Sequence, residues 1–351
     1  MSAALEITAV IPAHNGLPDV LEAVDSALAQ TLPPAEVVVV DDGSQDGTGD
    51  AVAHAFGPSG VRRAGRGTPV RVVSGRFGSA AAARNRGWRE ARTRWIALLD
   101  ADDVWFAQKL EVASAALAAA PEAEWFFSDG AFRNLEGEMR SSWLATYADL
   151  PEGYVGYPVR ELIEVNFVLT SSVVARRDAL ETLGGFDERL SHAEDLDLWI
   201  RLARRWPAAA SRQALVRYQH RAGGLTRQVE ARLAGDITLF RRLAEDESLA
   251  GDLRRAARRR EALAHFKLGM AAMREGRTRD ARAHFGKAWL FPERALPVTA
   301  AWIMSRLPRF AFSGLRRQGW ATATAAPHAR VRRVSLRHGG RPDAAADGGQ
   351  R

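Results

Sequence analysis

The sequence predicts an α/β protein built on a parallel sheet, and three observations carry that expectation. β-branched or apolar runs at Ile7 to Ile11, Val37 to Val40, Val70 to Val73 and Trp95 to Leu99 alternate with helical patterns around 17–30, 79–92 and 107–119. The run Val37-Val38-Val39-Val40 has no polar face, as expected of a strand covered by helices on both sides. Three of these runs end abruptly in polar, acidic or Gly-containing turns, and open α/β sheets bind ligands at the carboxyl ends of their strands.

The first strand ends in Pro12-Ala13-His14-Asn15-Gly16 and the second in Asp41-Asp42-Gly43-Ser44-Gln45-Asp46-Gly47-Thr48. The second of these is also ordinary turn chemistry, with Ser44 or Asp46 able to cap the next helix. The stretch 57–69, rich in Gly, Pro and Arg, reads as a surface loop. The fourth strand runs into Asp100-Ala101-Asp102-Asp103, three carboxylates within four residues. Such crowding raises the pKa of each acid unless a divalent cation or a proton neutralises the set, so this strand end is a candidate metal site. A solvated acidic turn before the helix near Ala107 is the competing explanation. Further strands are expected at Glu124 to Ser128, Val168 to Ala175 and Ala214 to Tyr218, with a helix from Asp195 to Arg205. Ser191 and Glu194 have capping-box spacing, so the acids at 194–197 could serve to start that helix.

Strand signals vanish after about residue 228, and Ala, Leu and Arg dominate with helical periodicity to about Leu290. Within this region, Leu268-Gly269, Gly276, Ala281, Phe285, Ala288 and Pro292 have the spacing of one tetratricopeptide-type hairpin, which cannot bury its own face and is expected to pack as an appendage on the first domain. The expected organisation is a sheet domain over 1–228, a helical region over 229–320 and a basic, disordered tail over 321–351.

The 351 residues contain no cysteine, which excludes disulfides, thiolate zinc sites and a thiol nucleophile and leaves oxygen or imidazole to hold a metal. The chain starts with neither a basic segment nor an apolar signal core, and no apolar run nears the roughly 20 residues of a membrane span, so a cytoplasmic protein is expected. The net charge of +7 is uneven: residues 1–230 carry 24 Lys and Arg against 31 Asp and Glu, whereas residues 231–351 carry 25 against 11. A basic C-terminal third suggests an anionic partner or an Arg-rich solvated face. Residues 289–320 mix Trp289, Phe291, Trp302, Phe310 and Trp320 with Arg294, Arg306, Arg309, Arg316 and Arg317, as interfacial segments on anionic membranes do. Aromatic residues are sparse beyond Trp320, so no nucleic-acid partner is expected.

Read together, the motifs resemble those of family 2 glycosyltransferases. They are Ile11-Pro12-Ala13-His14-Asn15, Gln30-Thr31-Leu32 before Asp41-Asp42-Gly43-Ser44, Ala83-Arg84-Asn85-Arg86-Gly87 and Leu98-Leu99-Asp100-Ala101-Asp102-Asp103. Downstream, Gly184-Gly185-Phe186-Asp187-Glu188 and Glu194-Asp195-Leu196-Asp197-Leu198-Trp199 are similar to the family's acceptor-side motif. The resemblance covers roughly residues 5–228. It implies a GT-A fold, a nucleotide-sugar donor, a glycan or lipid-linked acceptor and Mg²⁺ or Mn²⁺, as in inverting enzymes of cell-surface polysaccharide or glycolipid synthesis.

Carried over residue by residue, the resemblance places Pro12, His14, Asn15, Asp41, Asp42 and Arg84 at the nucleotide. Asp100 and Glu194 join them in the donor site, Asp102 and Asp103 hold the metal against the diphosphate, and Asp195 is the base. Relatives carry Tyr-Arg before a His near the metal. Here the run is Arg217-Tyr218-Gln219-His220, with Tyr and Arg exchanged, and His220 is a further candidate metal ligand beyond that departure from the pattern. Trp143, Tyr147, Tyr154 and Tyr157 are candidates to stack on acceptor sugar or to pack. Two other functions fit parts of the pattern. A nucleotidyltransferase needs a basic phosphate loop, and Pro12 to Gly16 contains no Lys or Arg. A noncatalytic nucleotide-sugar-binding protein with a basic interaction surface needs no carboxylate at Asp195.

Overall fold

The structure is a computed structural model that describes residues 4–57, 67–133, 138–219, 229–288 and 333–339. The chain divides into two compact units: Met1–Leu162 with Asn166–Gly224 and Arg333–Arg351, and Ile163–Val165 with Leu225–Arg332. The first unit opens with β1 (Ile7–Ala13), α1 (Asp19–Leu28), β2 (Glu36–Asp42), α2 (Thr48–Phe56), β3 (Val70–Gly75), α3 (Ala80–Glu90) and β4 (Trp95–Leu98). It continues through β5 (Val104–Trp105), α4 (Lys109–Ala119), β6 (Trp125–Arg133), β7 (Met139–Arg140), α5 (Leu144–Tyr147), β8 (Ala148–Asp149), β9 (Val155–Gly156) and α6 (Val159–Glu164). Then come β10 (Val174–Arg176), α7 (Arg177–Leu183), α8 (Glu194–Arg205) and β11 (Ala208–Tyr218). The second unit holds α9 (Val229–Glu245), α10 (Gly251–Arg274) and α11 (Thr278–Ala288), and β12 (Val334–Ser335) belongs to the first.

The main sheet has the order β3-β2-β1-β4-β10-β6-β11-β5. Strands β3, β2, β1 and β4 run parallel to one another, β10 is antiparallel to both β4 and β6, and β11 runs parallel to β6. After β3 the chain crosses back to place β4 on the far side of β1. That reversal of strand order opens a crevice outside the carboxyl ends of β1 and β4.

The valine run of β2 is fully buried and divides between the two faces. Val37 and Val39 join Ile7, Ala9 and Ile11 against Val20 and Val24 of α1 and Val52 of α2, while Val38 and Val40 pack on Ala83 of α3. Each such valine contributes about 1.5–3 kcal/mol of burial. Helix α3 can lie this close to the sheet because Gly87 has no Cβ: one built there would be 2.3 Å from Val10 Cγ1.

Three expectations are corrected. Of the strand expected over 168–175, only Val174–Arg176 pairs, because Thr170–Ser172 forms a 3-10 turn in which the Ser172 hydroxyl donates to the Leu169 carbonyl at 2.7 Å. The capping box does not form: α8 starts from Ala193 in the left-handed region at φ 64, with no side-chain cap. The tail expected to be disordered contributes β12, which pairs with β8, buries Val334 and Leu336 and sets Arg333 against Asp149.

In the second unit Phe285 of α11 fills the space that Gly269 of α10 leaves open, with Phe266, Met273 and Ala281 around it. Leu233 and Ile237 of α9 pack on Ala264 and Leu268 of α10, so the hairpin's apolar residues are shared with a third helix.

Candidate active site

The turns after β1 and β2 are laced together by hydrogen bonds. The Asn15 amide donates to Ser44 Oγ at 2.9 Å, the Gln45 amide donates to Asn15 Oδ1 at 2.8 Å and the Gly16 amide donates to Thr48 Oγ1 at 2.8 Å. Asn15 takes φ 49, a left-handed conformation that Asn tolerates better than most residues. Pro12 lies in register with Val40, and His14 Nδ1 is 2.7 Å from the Asp42 carbonyl oxygen. Both acids of β2 are engaged with backbone: Asp41 Oδ1 accepts from the Ser44 amide at 3.1 Å, and the Asp42 carboxylate accepts from the amides of Phe77 and Gly78. These acids thus set the shape of the loops around the β2 end, a role that motif spacing alone does not reveal.

At the end of β4 the chain turns with the Asp103 amide donating to the Asp100 carbonyl at 3.0 Å. Asp103 is buried, and its carboxylate accepts from the Ser171 hydroxyl at 2.5 Å and the Gln219 amide at 3.0 Å. Burial pushes its pKa well up, and the nearby charges of Asp100 and Asp102 push it further. Ser171 also accepts from the Asp100 amide at 3.0 Å, so one hydroxyl ties both ends of the acidic turn.

Arg84 of α3 bridges this turn to the start of α8. Its Nη2 lies 2.8 Å from Asp100 Oδ1 and its Nη1 2.8 Å from Glu194 Oε1, with the guanidinium 5.4 Å from the centre of the Phe186 ring. Burial opposes its charge, but the two carboxylates more than offset that, so Arg84 stays a cation. The residue expected at the nucleobase is therefore committed to two of the acids expected beside the donor. Its neighbour Asn85 clasps the Gly185-Phe186 turn from both sides, accepting from the Phe186 amide and donating to the Phe186 carbonyl, each at 2.9 Å. Trp199 of α8 stacks on Trp125 at 6.2 Å and meets Phe186 edge-on at 6.0 Å, which fixes the helix against the sheet.

Asp195 sits in the first turn of α8, next to Glu194. Its Oδ1 accepts from the Leu196 amide at 2.6 Å and its Oδ2 from Asn166 Nδ2 at 3.4 Å. Burial, with the charge of Glu194 adding to it, pushes the Asp195 pKa up to about 7, a value suited to a general base near neutral pH. Asp197, two residues on, is instead paired with Arg201 at 2.7 Å.

The structure thus brings Arg84, Asp100, Asp103, Glu194 and Asp195 into one connected group at the carboxyl edge of β4, with Asp102 close enough to act on Asp103. His220 lies outside the described residues. Among the described residues no three His, Cys, Asp or Glu side chains converge as a ready cation cage. Trp143 packs 4.7 Å from Tyr147, 5.4 Å from Phe132 and 5.6 Å from Tyr218, whereas Tyr154 is buried beneath the surface. Asn85 lies within the Ala83–Gly87 motif but carried no expected role there, and Asn166 and Ser171 lie outside every motif. For Ser171 the Thr-Ser-Ser run was the available signal, since hydroxyl clusters interrupt strands to bond elsewhere.

A mixed α/β sheet flanked by helices, with acids and polar turns at its carboxyl edge, defines a GT-A type fold, and solved structures share it. Staphylococcus aureus TarS 1-349 in complex with UDP-GlcNAc superimposes with a TM-score of 0.63 at 18% identity, covering 90% of this chain and 92% of that one. The mannosyltransferase PcManGT of Pyrobaculum calidifontis, in complex with GDP-Man and Mn²⁺, gives 0.55 at 20% identity over 92% and 85%. Residues 8–184 match Glycosyl transferase family 2, and the chain belongs to that family. The succinoglycan biosynthesis protein ExoO of Rhizobium meliloti is 32% identical over 258 residues, 69% of this chain and 70% of that protein. By contrast, the chain spans 33% of the length of an uncharacterized glycosyltransferase of Rickettsia felis, to which it is 26% identical over 60% of its own length.

Proposed function

We propose that this chain transfers a sugar from a nucleotide-diphosphate donor to a hydroxyl of a glycan or lipid-linked acceptor, with inversion at the anomeric carbon, in the synthesis of a cell-surface polysaccharide or glycolipid. The observation that carries this reading is the half-buried carboxylate of Asp195, its pKa raised, held through Glu194 and Arg84 to the acidic turn at the end of β4. Asp195 takes the proton from the acceptor hydroxyl as that oxygen attacks the anomeric carbon. The turns at Pro12, His14, Asn15, Asp41 and Asp42 lie at the carboxyl ends of β1 and β2, where the nucleotide would rest.

The acidic turn fits Mg²⁺ or Mn²⁺. Asp103 is buried beside Asp100 and Asp102 with its pKa pushed up, a cluster that a dication would relieve. Such ions are commonly held by one or two carboxylates with substrate phosphates completing the shell, so Asp102 and Asp103 suffice without a cage. Bound there, the ion would neutralise charge developing on the departing diphosphate. The names of ExoO and of the TarS and PcManGT complexes support polysaccharide synthesis, nucleotide-sugar use and Mn²⁺ respectively.

The test is incubation of the purified chain with UDP-glucose, UDP-N-acetylglucosamine and GDP-mannose, with Mn²⁺ or with chelator. Metal-dependent release of nucleoside diphosphate from one donor is expected, and release indifferent to chelation from every active donor would contradict the reading. No described helix is long and apolar enough to cross a membrane. The basic segment 289–320, outside the described residues, is proposed to dock on the anionic inner leaflet. Salt-sensitive sedimentation with anionic liposomes, lost on truncation after residue 288, is the expected result, and equal sedimentation with neutral vesicles would refute it.

A further inference from the structure

Asn166 makes an unusual arrangement for a polar residue in the extended stretch after α6. Its Nδ2 lies 3.4 Å from Asp195 Oδ2, and its Oδ1 is buried with no hydrogen-bond partner. A buried amide oxygen left unpaired is destabilising, and an apolar side chain of the same volume would avoid that cost. The contact with the Asp195 carboxylate is what the side chain gains against that cost.

The geometry around Asp195 shows what the contact does. Oδ1 is fixed by the Leu196 amide at 2.6 Å, which leaves the carboxylate free to turn unless Oδ2 is also held. The charged neighbours are Glu194, which raises the proton affinity of Asp195, and Arg84, itself shared with Asp100, which lowers it. Asn166 adds a donor that favours the ionised form and points at the second oxygen. Five residues further along the same stretch, Ser171 performs a parallel task for Asp103 and Asp100. Residues 166–171 thus run from the carboxylate on α8 to the acidic turn after β4.

We infer that Asn166 is a positioning residue that orients the Asp195 carboxylate and holds it ionised for proton abstraction. This rests on Asp195 being the base. Asn166→Leu is expected to hold or raise the unfolding temperature of the full chain while shifting the Asp195 carboxyl titration, followed by ¹³C NMR, about one pH unit to the alkaline side. With the donor that the wild type turns over, kcat falls about tenfold or more with little change in donor KM, and the acid limb of the pH profile moves the same way. Asn166→Ser gives a second variant should the leucine fail to pack. A lowered unfolding temperature with an unmoved Asp195 titration would overturn the inference and make Asn166 a structural residue. The parallel Asp195→Asn variant separates the two failures: if it keeps full turnover, the base assignment falls. If it loses turnover while both Asn166 variants keep the wild-type titration and kcat, only the present inference falls.

Discussion

The guanidinium of Arg84 lies 2.8 Å from Glu194, the residue immediately before Asp195, and 2.8 Å from Asp100, the first acid of the turn after β4. One side chain from α3 therefore joins two segments 94 residues apart in sequence, with both carboxylates facing a buried cation. Removing one partner of a buried ion pair leaves the others uncompensated, which costs more than the pair was worth in place.

Arg84→Met is accordingly expected to lower stability by about 3–5 kcal/mol, read from denaturant midpoints. It should also shift the Asp195 titration to higher pH, since Arg84 favours the ionised form. A variant as stable as the wild type would show that the network is not a structural tie.

The acidic turn yields a prediction about metal. Mn²⁺ should raise the unfolding temperature of the wild type, because a ligand that binds only the folded state stabilises it by mass action. Asp102→Asn and Asp103→Asn should each abolish that rise, measured by thermal scans with and without chelator. An undiminished rise in both variants would remove the ion from this turn.

Legibility of these features in the sequence followed the range of the forces involved. The alternation of strand and helix was readable because Val37 to Val40 are buried on both faces, and burial leaves a local composition signal. The acids at 100–103 and 194–197 were readable as clusters, but their pairings were not. Glu194, placed in the donor site by the motif order with a helix cap as the competing reading, makes no cap and meets Arg84 instead. Asn85, Asn166 and Ser171 act through contacts across 29 to 101 residues, which no periodicity records. Val334 and Leu336 are two short apolar anchors in a Gly- and Arg-rich tail, too brief for a strand signal yet buried on the loop at Asp149.

Lys109 offers a prediction on stability and pH. It is buried at the start of α4, its Nζ without a hydrogen-bond partner and placed 4.9 Å and 5.7 Å from the ring centres of Phe126 and Trp105. Burial pulls its pKa down from 10.5 to about 7. Between those values the unfolded chain binds a proton that the folded protein does not, so this group makes stability rise with pH from about 7 to 10.5 and adds no slope outside that window. The two ring faces favour the charged amine and temper the effect. Lys109→Met should flatten that slope and raise the unfolding temperature at pH 7 by several degrees. A lower unfolding temperature would mean that the amine has a partner in solution.

The assignment of Asp195 as base is the centre of the account, and turnover by Asp195→Asn tests it most directly. Asparagine keeps the shape of the side chain and cannot take the acceptor proton. The account predicts a fall in kcat of about two to four orders of magnitude with donor affinity nearly unchanged. Retention of kcat in a variant that loses only about 1 kcal/mol of stability would contradict it, leaving Asp195 as a residue that merely opens α8.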